Sequence, residues 1–237
     1  MAKPLNKGSL LLMAGGEHGG KGKGDPILAK FISMCFQKPP RVMYIGAASD
    51  DDPYYYSVIE PVLLASGASE VFLANFDRSP SSEKRIASAD LAFISGGDVE
   101  SGMANLEAAG AIKTLISLYK GGLPFVGVSA GSIMMGKAWV HWSDPDDDST
   151  ASLFPCLGFA DFICDTHDEF DDWGELKTAI SISPAGETGH GIPTGGAILI
   201  EPRHSKAALG HPAATLISNG KAAIRADNLH CKSHSEK

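Results

Sequence analysis

Short apolar runs alternate with longer helix-like stretches through the first half of the chain. The runs predict strands at residues 9–14, 41–47, 70–74, 91–95 and 124–128. Helices are expected over 26–36, 53–65 (ended by Gly67), 82–87 after Pro80, 99–106, 111–119 and 130–138. Apolar runs without alternation are the mark of strands buried on both faces, and strands that alternate with helices build a mostly parallel sheet. The expected fold class is therefore α/β. After Trp139 the texture changes. Residues 143–150 form a polar, acidic loop, and 159–164, 178–183 and 197–200 predict further strands. Residues 206–209, 215–218 and 222–224 read as short strands or a β-meander, and the polar end 228–237 as a flexible tail.

Composition narrows the class. A chain of 237 residues, 43% hydrophobic, can bury one sizeable core, so a single domain over 1–237 is the simplest organisation. A net charge of −8 argues against nucleic acid as a partner, because phosphates require a basic stripe. No apolar run approaches the roughly 20 residues that span a bilayer, which argues against a membrane partner. The opening segment 1–7 is basic, but the apolar run at 10–14 is too short for a signal-peptide core, so a cytoplasmic location is expected. Cys35, Cys156, Cys164 and Cys231 are scattered, with no CxxC pair and no disulfide framework implied.

The chemistry concentrates at Gly127-Val128-Ser129-Ala130-Gly131, between a predicted strand and a predicted helix. This is the setting of a nucleophile elbow, where small neighbours permit a sharp strand-to-helix crossing around a strained serine. The alternative is an ordinary turn with Ser129 as a helix N-cap. A base is needed, and His167 stands out among the eight histidines because it follows the strand-like run ending in Cys164-Asp165-Thr166. A solvated loop histidine is the competing reading. Asp165 stands close enough in sequence to matter. Gly96-Gly97 after a strand offers unobstructed N–H groups, one half of an oxyanion hole whose other half is the Ala130 N–H. Asp98 reads equally as the N-cap of the next helix. Gly96, Asp98 and Ser132 are the expected substrate-side residues.

Two further features compete. The loop 15–22 nearly spells a phosphate loop, but Gly22 stands where Ser or Thr should hold magnesium, so an active-site rim is the better reading. The acidic residues Asp165, Asp168, Glu169, Asp171, Asp172 and Glu175 read as a solvated face. Beside a site they would attract a cationic group, and their spacing matches no standard metal motif.

Together these motifs resemble the serine peptidase family that contains cyanophycinase and dipeptidase E. Gly15-Gly16-Glu17 is similar to the segment after that family's first strand, and Gly46-Ala47-Ala48-Ser49 to the stretch after its second. Ser95-Gly96-Gly97-Asp98 resembles its oxyanion turn, Gly127 to Ser132 its nucleophile motif, and Asp165-Thr166-His167 its Asp-x-His. The resemblance implies a class I glutamine-amidotransferase-like (flavodoxin-like) three-layer sandwich with extra C-terminal strands. It implies Ser129 as nucleophile, His167 as base, and Gly97 and Ala130 as the oxyanion hole. The substrate would be a small peptide or amide, with peptide or isopeptide bonds, aspartyl bonds among them, cleaved without metal or organic cofactor. A homodimer would be plausible.

The chain departs from the pattern twice. In Gly191-Ile192-Pro193-Thr194-Gly195, Thr194 stands where the family carries a catalytic Glu, and Asp165 or Glu187 is left to substitute. Acidic residues fill the stretch after His167 where basic groups would hold an aspartyl carboxylate, which argues against a preference for N-terminal Asp. The alternative functions are an impaired relative used for binding or regulation, favoured by Thr194, and an amide hydrolase of the amidotransferase type, disfavoured by Ser at the elbow.

Overall fold

The structure is a computed structural model that describes residues 8–16, 23–144, 146–202 and 205–231. In chain order the elements are β1 (Leu10–Met13), α1 (Pro26–Cys35), β2 (Arg41–Ile45), α2 (Pro53–Ala65), β3 (Glu70–Leu73), α3 (Pro80–Ala87) and β4 (Leu91–Ile94). They continue with α4 (Val99–Ala108), α5 (Ile112–Lys120), β5 (Phe125–Val128), α6 (Ala130–Met135), β6 (Ala138–Trp142), β7 (Ala151–Pro155) and β8 (Ile163–Thr166). The last are α7 (Gly174–Ser181), β9 (Thr188–Ile192), β10 (Ala197–Ile200), β11 (Lys206–Leu209), β12 (Ala213–Ser218) and β13 (Ala223–Leu229).

A seven-stranded sheet in the order β11-β10-β1-β5-β4-β2-β3 forms the centre. Strands β1, β5, β4, β2 and β3 run parallel, and β10 and β11 add an antiparallel edge. The continuous apolar strands explain why. Along β1, Leu10 and Leu12 enter one core and Leu11 and Met13 the other; Met43 and Ile45 oppose Val42 and Tyr44 in the same way along β2. One face is covered by α1 and α2 through Leu28, Phe31, Ile32 and Leu63. The other is covered by α4, α5 and α6 through Leu106, Leu115, Ile133 and Met134. Both faces of the sheet are dry, as a parallel sheet requires. Among the described residues no helix is long and apolar enough to cross a membrane.

Several elements differ from the sequence reading. Helix α6 ends at Met135 rather than 138, and the residues after it start a β6–β7 hairpin that was not anticipated. The strand expected at 159–164 lies at Ile163–Thr166. Residues 178–183, read as a strand, belong largely to α7, because Leu176, Ala179 and Ile180 bury one helical face. Strand β9 was not anticipated either. Of the tail expected over 228–237, Asn228 and Leu229 lie in β13 and Cys231 bridges to Ala208, while 232–237 lie outside the described residues.

A second sheet, β13-β12-β9-β8, stands beside the first. Its centre holds His190, 2% exposed, with Nδ1 3.1 Å from the Thr215 hydroxyl and its ring edge-on to Phe162 at 4.7 Å. Burial, followed by the nearby Lys206 charge, pushes this imidazole down to about 4. The folded state thus refuses a proton that the unfolded chain takes up near 6.5. Stability from this group is intact above pH 6.5 and is lost as pH falls toward 4, for a total of about 3 kcal/mol. Denaturant midpoints of wild type and His190→Gln, measured between pH 7 and 4, should diverge over this window, with the variant falling less. Parallel slopes would refute the assignment.

Candidate active site

The C-terminal ends of β1, β5, β4 and β2 share one edge of the central sheet, where ligands of open α/β sheets bind. Ser129 follows β5 directly. Its backbone is at φ 52°, ψ −123°, a left-handed conformation rare for a residue with a side chain, and its N–H donates to the Met13 carbonyl at 2.9 Å. The turn is forced by crowding: a Cβ on Gly131 would lie 2.2 Å from the Ile94 carbonyl oxygen. Helix α6 thus packs directly on β4, and the chain must turn sharply at Ser129.

His167 comes from the second sheet. It follows β8, turns through φ 49°, and donates its backbone N–H to the Ile192 carbonyl at 2.9 Å. The end of α6 carries β8 into place, with the Lys137 N–H donating to the Phe162 carbonyl at 3.0 Å. As a result, Ser129 Oγ and His167 Nε2 stand 2.7 Å apart. In the tautomer with the proton on Nδ1, the serine hydroxyl donates to the imidazole.

Gly96 abuts the serine: a Cβ there would meet Ser129 Cβ at 3.2 Å. Gly97 sits at φ 144°, and a Cβ there would lie 1.8 Å from the Ala48 carbonyl oxygen, so glycine is obligatory. Neither the Gly97 nor the Ala130 N–H has a hydrogen-bond acceptor among the described residues. Asp98 is the N-cap of α4 and accepts from the Ser101 N–H at 2.7 Å. It also borders a pocket of about 260 Å³ lined by Gly97, Ile133, Trp139, Trp142 and Glu175.

The other expected residues behave differently. Ser132 is fully buried, and its hydroxyl bonds both the N–H and the carbonyl of Met13 at 2.8 Å, clipping α6 to β1. It cannot face a substrate as expected. Asp165 is buried in β8, where Oδ1 accepts from the Thr166 N–H at 2.7 Å. Burial pushes this carboxyl up to about 8, so it is largely protonated at neutral pH. Among the described residues it makes no hydrogen bond to His167, and neither does Thr194. Glu187 is tied to Lys137 at the start of β9. In the glycine loop, Gly15 accepts from the Gly195 N–H at 2.9 Å, while 17–22 lie outside the described residues.

The acidic run is not uniformly a solvated face. Asp172 pairs with Lys177 and Arg225. Glu169 turns inward and accepts from the Thr194 N–H at 3.1 Å. Burial raises the Asp168 and Glu175 carboxyls, and both groups feel the charge of His167. The sequence reading held Glu169 and Glu175 only as members of a solvated acidic face, and it did not single out the tryptophans of the β6–β7 hairpin. The aromatic and β-branched run Trp139-Val140-His141-Trp142 was the one available signal for the hairpin.

A serine at a strained strand-to-helix turn, within hydrogen-bonding distance of a histidine at the edge of a parallel sheet, defines an α/β protein of serine-hydrolase architecture. The sequence model of peptidase family S51 matches residues 10–207, and the chain belongs to that family. The fold is similar to that of a peptidase from an acI-B1 Actinobacterium, with TM-score 0.70, 18% identity and 96% of each chain covered. It is also similar to a putative peptidase E protein from Listeria monocytogenes EGD-e, with TM-score 0.61, 16% identity, and 85% of this chain and 97% of that one covered. No curated protein matches the chain.

Proposed function

We propose that the protein is a serine hydrolase that cleaves a peptide or isopeptide bond of a small substrate through an acyl-enzyme. The observation that carries this reading is the 2.7 Å contact between Ser129 Oγ and His167 Nε2 at a serine held in a strained turn. Membership of peptidase family S51 supports it.

In the first half-reaction Ser129 Oγ attacks the scissile carbonyl carbon while His167 Nε2 takes the hydroxyl proton. The carbonyl oxygen becomes an oxyanion, which the N–H groups of Gly97 and Ala130 stabilise as donors. Collapse breaks the C–N bond, and His167 returns the proton to the leaving amine. Water then attacks the acyl-serine by the same route, losing its proton to His167, and releases the acid and the free serine. No step calls for a metal or organic cofactor.

Treatment with a fluorophosphonate probe tests the reading. Intact mass should rise by a single adduct, and peptide mapping should place it on Ser129. One observation favours a second reading: Thr194, where the family resemblance expects an acid, makes no hydrogen bond to His167 among the described residues. In that reading the site binds without turning over, and folded protein would remain unlabelled by probes of every size.

A further inference from the structure

A second cavity opens at the same edge of the central sheet, on the face covered by α1 and α2. It holds about 150 Å³ and is walled by Met13 at the end of β1, Phe93 in β4, Val128 at the end of β5, Leu28 in α1, and Ile59 and Leu63 in α2. Alternation along β5 puts it there. Val126 and Val128 pack on the α1–α2 side, whereas Gly127 lies against α6, where a Cβ would come within 2.6 Å of the Gly131 carbonyl oxygen. Met13, Leu28, Leu63 and Phe93 are each at most 4% exposed, so these walls are part of the core and already in place.

The cavity reaches the nucleophile through one residue. Val128 directly precedes Ser129, and Gly96 borders both: a Cβ on Gly96 would meet Ser129 Cβ at 3.2 Å and Val128 Cγ1 at 3.7 Å. Gly15 lies on another flank of Val128, its Cβ position 3.9 Å from both γ-methyls. Gly16 carries the wall on to Thr194, whose Cγ2 would stand 2.8 Å from a Cβ there. Glycine at 15, 16 and 96 therefore sets no side chain on the rim between the serine and the cavity. The walls themselves are one-sided in chemistry. Among the described lining residues only Asp25 is charged, and its Oδ1 caps α1 by accepting from the Ile27 and Leu28 N–H groups at 2.8 and 2.9 Å. A charged group entering this space would lose its water with nothing to replace it. An apolar group gains by the same transfer, and a space of about 150 Å³ lined by Leu, Ile and Phe accepts a benzene-sized molecule. The segment that follows Gly16, Glu-His-Gly-Gly-Lys-Gly at 17–22, has no apolar side chain to fill it.

Building on the hydrolase reading above, we propose that this cavity is a substrate subsite for an apolar side chain of leucine or phenylalanine size beside the scissile bond. The favoured substrates are then peptides with such a residue next to the bond that is cleaved. Val128 links the subsite to Ser129, and the buried walls fix its size. Val58, 48% exposed, lines the cavity from α2 where it meets solvent, and it is the lining position most open to substitution.

The test uses alkylboronic acids. Boron accepts an electron pair from Ser129 Oγ while His167 takes the hydroxyl proton, which gives a tetrahedral adduct with no leaving group. The single alkyl chain can enter a subsite on either side of the reacting centre. Inhibition constants are read from the slowing of Ser129 labelling by a fluorophosphonate. Isobutylboronic acid should bind roughly tenfold to a hundredfold more tightly than methylboronic acid, the gain expected for three methylenes moved into an apolar pocket. Carboxyethylboronic acid, of similar length, should gain nothing over methyl. Val58→Trp narrows the cavity from an exposed helix position, so the fold is kept, and it should remove most of the isobutyl advantage. A wild-type protein that is labelled but binds isobutyl and methyl alike overturns the proposal, leaves the hydrolase reading standing and assigns the cavity to another occupant. An equal gain with the carboxyethyl compound overturns it too, as does an isobutyl advantage undiminished in Val58→Trp. Absence of labelling in wild type would instead remove the hydrolase reading, and this inference with it.

Discussion

Ser129→Ala is expected to lower turnover of any hydrolysed peptide or ester by about six orders of magnitude, the loss typical when the nucleophile of an acyl-transfer triad is deleted. The remaining rate would come from the Gly97 and Ala130 donors and from substrate positioning alone. The fold should be unaffected. Ser129 makes its structural bonds through the backbone, with its N–H on the Met13 carbonyl and its own carbonyl accepting from Ser132 and Ile133. Alanine preserves them but keeps the strain of φ 52°. Glycine relieves it, so Ser129→Gly should be inactive yet more stable than Ser129→Ala by about 1 kcal/mol. Kinetics with an activated ester and denaturant unfolding of the three proteins check both halves. Full turnover in Ser129→Ala would place the chemistry elsewhere.

Gly131→Ala should damage stability and rate together. The added Cβ would lie 2.2 Å from the Ile94 carbonyl oxygen and 2.8 Å from both the Ile94 carbonyl carbon and the Ser95 oxygen. These are backbone atoms of β4 and its following residue, so no side chain can swing away. Helix α6 would have to lift from the sheet, at a cost of about 3 kcal/mol or more. Because α6 also carries β8, the displacement would separate Ser129 from His167. Gly174→Ala is the control: it lies at the start of α7 with nothing within 4 Å of its Cβ, and it should be close to neutral. Thermal unfolding and labelling rate should fall together in Gly131→Ala and stay near wild type in Gly174→Ala. Equal behaviour of the two would mean that the close packing of α6 on β4 is not required.

The central sheet was legible because its strands are apolar at every position, which only a doubly covered sheet accommodates. The second half was harder. Residues 179–182 read Ala-Ile-Ser-Ile, a run too short to separate a strand from a helix by period. Leu176 and the packing of α7 on β9 settle it, with Gly189 set against Ile180 and Gly191 against Trp173. Strand β9 has little strand propensity in its Gly-His-Gly centre. It forms because β8 and β12 pair with it from either side. The first strand of the β6–β7 hairpin, Ala-Trp-Val-His-Trp, has no period-2 alternation, and it follows α6 with no turn residue except Gly136.

The sequence by itself determined the α/β class, the serine turn and the glycine loop beside it, because each rests on local sterics: small residues where chains cross and apolar runs where both faces are buried. Only the tertiary structure decided that His167 meets Ser129, that Ser132 is a buried clip, and which carboxyl near the histidine stays charged. Those outcomes depend on burial and on neighbours from distant segments. A carboxyl buried in β8 is driven toward neutrality, while one held by a threonine from the end of β9 stays ionised, and no local pattern distinguishes the two.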